Sequence, residues 1–304
     1  MRRHLALFGA SLVLAGTAAP AATADSIGPI DFESYSLGDI NGQQGWMKLN
    51  PLFDVAVSGV AGYPAAAGYG FGTKSLRASD AFTFGTFGDQ TFSPGLASPA
   101  GEAGQPHFDA TFSIGSATGA YQPGMHMSVS PDKGDGSRMS YLRFADQADG
   151  IHVFFDDVTD PGPVGTPATF NETDIATIDT AHAHTARFSI DFNPGPANDV
   201  VKIFIDGAPK ITGTTWEDYY RYDPEQAPTG NQVPTVDKLL FRESGGANPP
   251  DNGNGYLIDN ISAASQTGPP TSKDQCKGDG WKAFNAPRVF KNQGDCVSFT
   301  NTGR

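Results

Sequence analysis

The feature that most constrains this 304-residue chain is its punctuation: short runs of β-branched and aromatic residues recur between clusters of Gly, Pro, Asn and Asp. With 37 glycines and 23 prolines interrupting those runs, almost no apolar pattern keeps a period of 3.6 residues long enough to make a helix. Twelve strands are predicted, at 30–32, 75–77, 81–84, 107–114, 125–130, 140–145, 150–156, 168–170, 185–192, 199–205, 238–242 and 255–262. Such spacing is the rhythm of an antiparallel sandwich. In 186–192, Phe188, Ile190 and Phe192 fall on one side and Arg187, Ser189 and Asp191 on the other, the alternation of a half-buried strand. The turn 193–198 reverses the chain into 200–205, where Val201, Ile203 and Ile205 alternate with Val200, Lys202 and Phe204 up to Asp206-Gly207. One short helix is expected, around 215–222.

The ends of the chain differ from its middle. Arg2 and Arg3, an apolar stretch over 5–15, and Ala22-Thr23-Ala24 form a signal-peptide pattern, so residues 1–24 are expected to be cleaved and the remainder exported. No later stretch reaches the roughly 18 apolar residues of a membrane span. The net charge of -13 makes the chain a poor partner for nucleic acid or anionic lipid, since both are bound by Lys and Arg. The only two cysteines, Cys276 and Cys296, are expected to pair in an oxidising compartment, because no histidine lies near them to complete a metal site. A Pro/Gly/Ser/Thr linker over 266–274 separates a main domain, 25–265, from a tail, 275–304, too small to fold without its disulfide.

Several stretches resemble a known family. Asp31-Phe32-Glu33-Ser34-Tyr35 with Gly42-Gln43-Gln44-Gly45-Trp46 is similar to the first strand of secreted bacterial jelly-roll domains of the concanavalin-like or laminin-G-like type. Gly255-Tyr256-Leu257-Ile258-Asp259-Asn260-Ile261 resembles their last strand, and 198–207 their strand ending in Asp-Gly. The tail with Cys276 and Cys296 is similar to a cysteine-paired segment appended to exported actinobacterial proteins. The resemblance implies an all-β, antiparallel jelly-roll sandwich. It also implies a structural calcium, with Glu33 and Asp259 in the matching places, since hard cations collect oxygen ligands at strand ends.

Three kinds of chemistry are open to such a chain. Trp216, Glu217, Tyr219 and Tyr220, with Trp46 in a second group, are the ligand-binding candidates, because aromatic rings match the C–H face of a sugar and acids take its hydroxyls. Retaining hydrolases of similar fold carry Glu-x-Asp-x-x-Glu; here Glu172-Thr173-Asp174 begins that string and Thr177 ends it wrongly. A polysaccharide lyase would draw its base and its carboxylate-neutralising group from His126, His152, His182, His184, Tyr141 and Arg143. His182-Ala183-His184 would also suit a metal if extended. No nucleophile elbow, His-Glu-x-x-His or phosphate loop occurs. The reading is a secreted protein that binds a glycan or another extracellular surface without turning it over. The alternatives are a lyase or hydrolase on the same fold, or a structural exoprotein.

Overall fold

A computed structural model describes residues 25–83, 90–159, 162–227, 233–243, 245–266, 269–270, 272–278, 280–284 and 290–303. The expected leader, 1–24, lies outside these residues, as does part of the 266–274 linker.

Two antiparallel sheets face one another. The nine-stranded sheet runs, in spatial order, β14 (Ala208–Gly213), β13 (Val200–Ile205), β12 (His184–Asp191), β7 (His107–Ser116), β16 (Tyr256–Gln266), β5 (Lys74–Ala78), β4 (Val55–Gly59) and β2 (Gly38–Asp39), with β1 (Asp25–Ile30) also on β16. The seven-stranded sheet runs β11 (Thr169–Ile178), β10 (Gly150–Thr159), β9 (Tyr141–Gln147), β8 (His126–Asp132), β15 (Lys238–Arg242), β6 (Gln90–Phe92) and β3 (Met47–Lys48). The fold is an antiparallel jelly-roll sandwich of two sheets. Neighbours distant in sequence, such as β7 beside β16, are what the crossovers of this architecture require.

The expected hairpin forms as β12 against β13, with Phe188 opposite Ile203 and Ile190 opposite Val201, all fully buried. From the other sheet Leu142, Phe144, Val153, Phe155 and Phe241 complete one core between the layers. Burying each such side chain contributes about 1.5–3 kcal/mol relative to leaving it in water.

The strands β2, β3, β4, β6 and β14 and a helix in the tail were not anticipated, and the described part of the expected strand 81–84, residues 81–83, lies in a bend rather than a strand. β11 was expected to be three residues long and has ten, most of them exposed. β14 is an additional edge strand, largely exposed. In the tail, α2 (Gln293–Thr302) begins at Asn292, whose side chain accepts from the Asp295 N–H, and ends at Gly303 in the left-handed region (φ 70°). The one expected helix is present as α1 (Glu217–Tyr222). Cys276 and Cys296 form the expected disulfide, buried with Phe284 and Phe290 in a cluster of their own.

Candidate functional site

Alternation decides what the seven-stranded sheet shows to its outer side. Because Leu142, Phe144, Ile151, Val153, Met127 and Val129 point into the core, Tyr141, Arg143, His152, Phe154, His126 and Ser128 point away from it. Register then places Arg143 directly between Phe154 on β10 and Ser128 on β8, with Arg242 of β15 beyond Ser128.

Arg143 is the centre of this face. Its guanidinium forks onto Glu172 of β11, Nε to Oε1 at 2.7 Å and Nη2 to Oε2 at 2.5 Å, and lies 4.1 Å from the Phe154 ring centroid. The Tyr141 hydroxyl donates to the same Glu172 oxygen at 3.2 Å. The hydrogen bonds from Arg143 hold the Glu172 carboxyl below its usual range. Burial, reinforced by Asp156 and Glu172, pushes the Tyr141 phenol well above its own range, so it stays protonated. His152 is bracketed by Asp174 at 2.7 Å and Asp149 at 3.1 Å, and the bond to Asp174 raises its pKa. His126 bonds the Gly124 carbonyl at 2.9 Å and comes within 3.7 Å of the buried Asp80 carboxylate.

Four of the six side chains a lyase would use therefore share this face. His182 and His184 do not: His182 lies in the bend before β12 of the other sheet, on Asp179 (2.9 Å), and His184 opens that strand, on Asp206 (2.8 Å). Among the described residues no group of three or more His, Cys, Asp or Glu is arranged to hold a metal. Glu172 and Asp174 sit on the edge strand, and the carboxyl opposite Glu172 is Asp156, 2% exposed, bonded by the Trp216 indole N–H at 3.0 Å and raised by burial to about 7.

The expected open aromatic platform is corrected by burial. Trp216 is 9% exposed, Tyr220 5% and Trp46 2%. Trp46 packs between Phe32 and Phe241 in the core. Glu217 is fully buried and accepts the Asn198 and Asp199 N–H groups at 2.8 and 3.0 Å, which pins the turn before β13. Tyr220 donates to the Arg138 carbonyl at 2.9 Å. Rings of this size gain more from closing a sandwich end than from facing water. Only Tyr219 of the five remains half-exposed, its hydroxyl on Glu225 at 3.1 Å. The cluster still abuts the Arg143 face, since Trp216 packs edge-on against Tyr141, 5.9 Å between centroids.

The two calcium candidates lie close enough for the charge of Glu33 to help raise Asp259. Both oxygens of Glu33 accept hydrogen bonds, from Thr73 and from the Lys74 N–H. Asp259 stands at the bulge where β16 exchanges β5 for β1 as its neighbour, and its Oδ2 is buried with no hydrogen-bond partner among the described residues. Burial, with Asp31 and Glu33 nearby, pushes it up to about 6.

Reasoning from sequence missed Phe154, Asp156 and Arg242. Alternation within 150–156 and 238–242 carried the signal for all three, but only once the inner side of each strand was known. A larger depression of about 630 Å³ beside β4, between Leu37, Val57, Tyr63 and Asn254, has no Asp, Glu, His, Lys or Arg in its wall. It offers little chemistry.

No protein-family model matches the sequence, and no curated protein matches it. Among solved structures the chain is similar to an endo-β-1,4-glucuronan lyase from the fungus Trichoderma reesei (14% identity, 76% of this chain and 92% of that one, TM-score 0.37). It is likewise similar to the alginate lyase Aly36B (14%, 80% and 96%, 0.41) and a Bacillus licheniformis β-glucanase (12%, 76% and 96%, 0.36). Likeness at this level carries no argument about what this chain does.

Proposed function

We propose that this is an exported protein that binds a polysaccharide on the outer face of its seven-stranded sheet without cleaving it. The observation that carries the reading is the Arg143–Glu172 fork, steadied by the Tyr141 hydroxyl and backed by Phe154. A planar cation and a carboxylate side by side supply donors and acceptors to vicinal hydroxyls, and the fork holds both in place before the ligand arrives. Export is supported by the leader pattern and the buried disulfide. Recovery of the protein from culture medium with Asp25 at its N-terminus tests that part.

Catalysis is the second reading, favoured by the common face of His126, His152, Tyr141 and Arg143. Against it stand the paired state of Arg143 and the protonated phenol of Tyr141, which leave the carboxylate-neutralising group and one candidate base already engaged. Incubating the purified chain with neutral and uronate polysaccharides, while following retained protein and unsaturated ends together, separates the two. Retention without release supports binding; release of unsaturated ends overturns it in favour of a lyase. A structural calcium on Asp259 Oδ2 belongs to the same proposal. Chelation should then lower Tm, and an unchanged Tm would count against the calcium.

A further inference from the structure

Next to Trp216 the surface dips into a depression of about 240 Å³ whose wall includes Arg138, Gln90, Trp216, Tyr219 and Glu225. Arg138 is 3% exposed, its guanidinium 5.5 Å from the Trp216 ring centroid. Among the described residues that guanidinium has no hydrogen-bond or ion-pair partner, and burial alone lowers its pKa. A desolvated cation left in that condition is costly, and native structures keep such groups where something meets them.

The hydrogen bonds of the acids around it go to other groups, while Asp132 Oδ2, buried and without a hydrogen-bond partner among the described residues, contributes only its charge. Asp132 accepts the Gly134, Asp135 and Gly136 N–H groups through Oδ1, and Asp156 takes the Trp216 indole. Burial raises these two carboxyls to about 6 and about 7, so both lose charge in mild acid and cease to compensate Arg138. Of the acids in the wall, Asp135 faces Lys133 at 3.4 Å and Glu225 accepts the Tyr219 hydroxyl. The phenols of Tyr141 and Tyr220 stand on the same side and stay neutral, burial raising both.

We infer that this depression is the anchor for the carboxylate of an acidic sugar, with Arg138 meeting the carboxylate and Trp216 and Tyr219 bordering the ring. It deepens, and rests on, the glycan-binding reading of the adjoining Arg143 face, with which it shares Trp216 as a wall. The guanidinium plane matches a carboxylate in two parallel hydrogen bonds, which a neutral sugar cannot return. The volume admits about one sugar unit, so the pocket would read a single residue of a longer chain.

The test is equilibrium binding of glucuronate, with glucuronamide as the uncharged control, to the full chain, its Arg138→Met variant and an Arg187→Met control from the opposite sheet. Glucuronate is expected to bind at least about tenfold more tightly than glucuronamide, to tighten between about pH 8 and pH 5 as Asp132 and Asp156 take up protons, and to lose its advantage in Arg138→Met alone. Equal binding of the two sugars by the unaltered protein overturns the inference, and so does an Arg138→Met variant that is folded by near-ultraviolet circular dichroism and still prefers glucuronate. Should that variant not fold, the comparison of the two sugars on the unaltered protein decides. Neutral polysaccharide retained without any glucuronate preference sinks this inference and spares the Arg143 reading. Glucuronate preference through Arg138 with no polysaccharide retained does the reverse.

Discussion

The outer faces of the two sheets use similar residues differently. On the nine-stranded sheet Lys202, Asp191, His107, Asp109 and Arg187 form one closed chain of charges across β13, β12 and β7. His107 lies between two carboxylates at 2.6 and 2.7 Å; burial opposes its charge, but the two acids outweigh burial and hold its pKa up at about 9. On the seven-stranded sheet the fork at Arg143 is half-exposed, and beside it Arg138 is buried against Trp216 with no hydrogen-bond or ion-pair partner among the described residues, next to a depression. A network that satisfies itself stabilises the fold, whereas polar groups held in place with capacity to spare are what a ligand can use.

The sharpest way to break the comparison is to remove the central member of each network. His107→Leu leaves Asp109 and Asp191 facing one another and is expected to cost about 3 kcal/mol, read by denaturant unfolding, while the folded fraction still retains polysaccharide. Arg143→Met should cost under about 1 kcal/mol, since its ion pair is partly exposed, yet abolish retention. If both variants lose stability equally and binding equally, the division of labour is wrong.

Thermal stability against pH sharpens the same contrast. The His107 contribution is complete below the unfolded imidazole value of about 6.5 and is lost as pH rises through about 9. Asp132 and Asp156 also favour the fold in acid: their advantage is full below the unfolded carboxyl value of about 3.9 and disappears as pH climbs through about 6 and about 7. Glu172 works in the opposite sense, supporting the fold above about 4.3 and losing that support as pH falls. Tm should therefore peak in mild acid and fall toward alkaline pH, with the last part of the fall missing in His107→Leu.

A smaller effect is expected from Glu172→Gln, which keeps the shape of the fork and removes its charge: retention in affinity electrophoresis should weaken about tenfold, or 1.4 kcal/mol. Smallest of all for the sandwich is loss of the disulfide. Closing a loop with a sequence separation of 20 contributes about 3 kcal/mol, but to a cluster separate from the main core. Replacing Cys276 and Cys296 with serine should expose the tail to protease and move the main unfolding transition by less than about 1 kcal/mol.

Much of the fold was legible because alternation is local. Residues 186–192 announce an inner and an outer side without reference to any other strand. β11 was hidden because an edge strand with polar residues on both sides has no such contrast. α2 was hidden because its apolar positions make no stripe, although Asn292 and Gly303 mark its ends. The residue types of the face, Arg143, Tyr141, His126 and His152, were identified, but their meeting depends on the register of strands 8 to 11, which no short window contains. The aromatic cluster misled for a related reason: Trp216 at an open surface and Trp216 against Asp156 read alike in one dimension.

Backbone hydrogen exchange with and without a retained polysaccharide tests the central claim most directly. Slowed exchange in β9, β10 and β11, with β7, β12 and β13 unchanged, is the predicted result. Protection confined to β7, β12 and β13 would contradict the account, placing the ligand over the His107 network rather than the Arg143 fork.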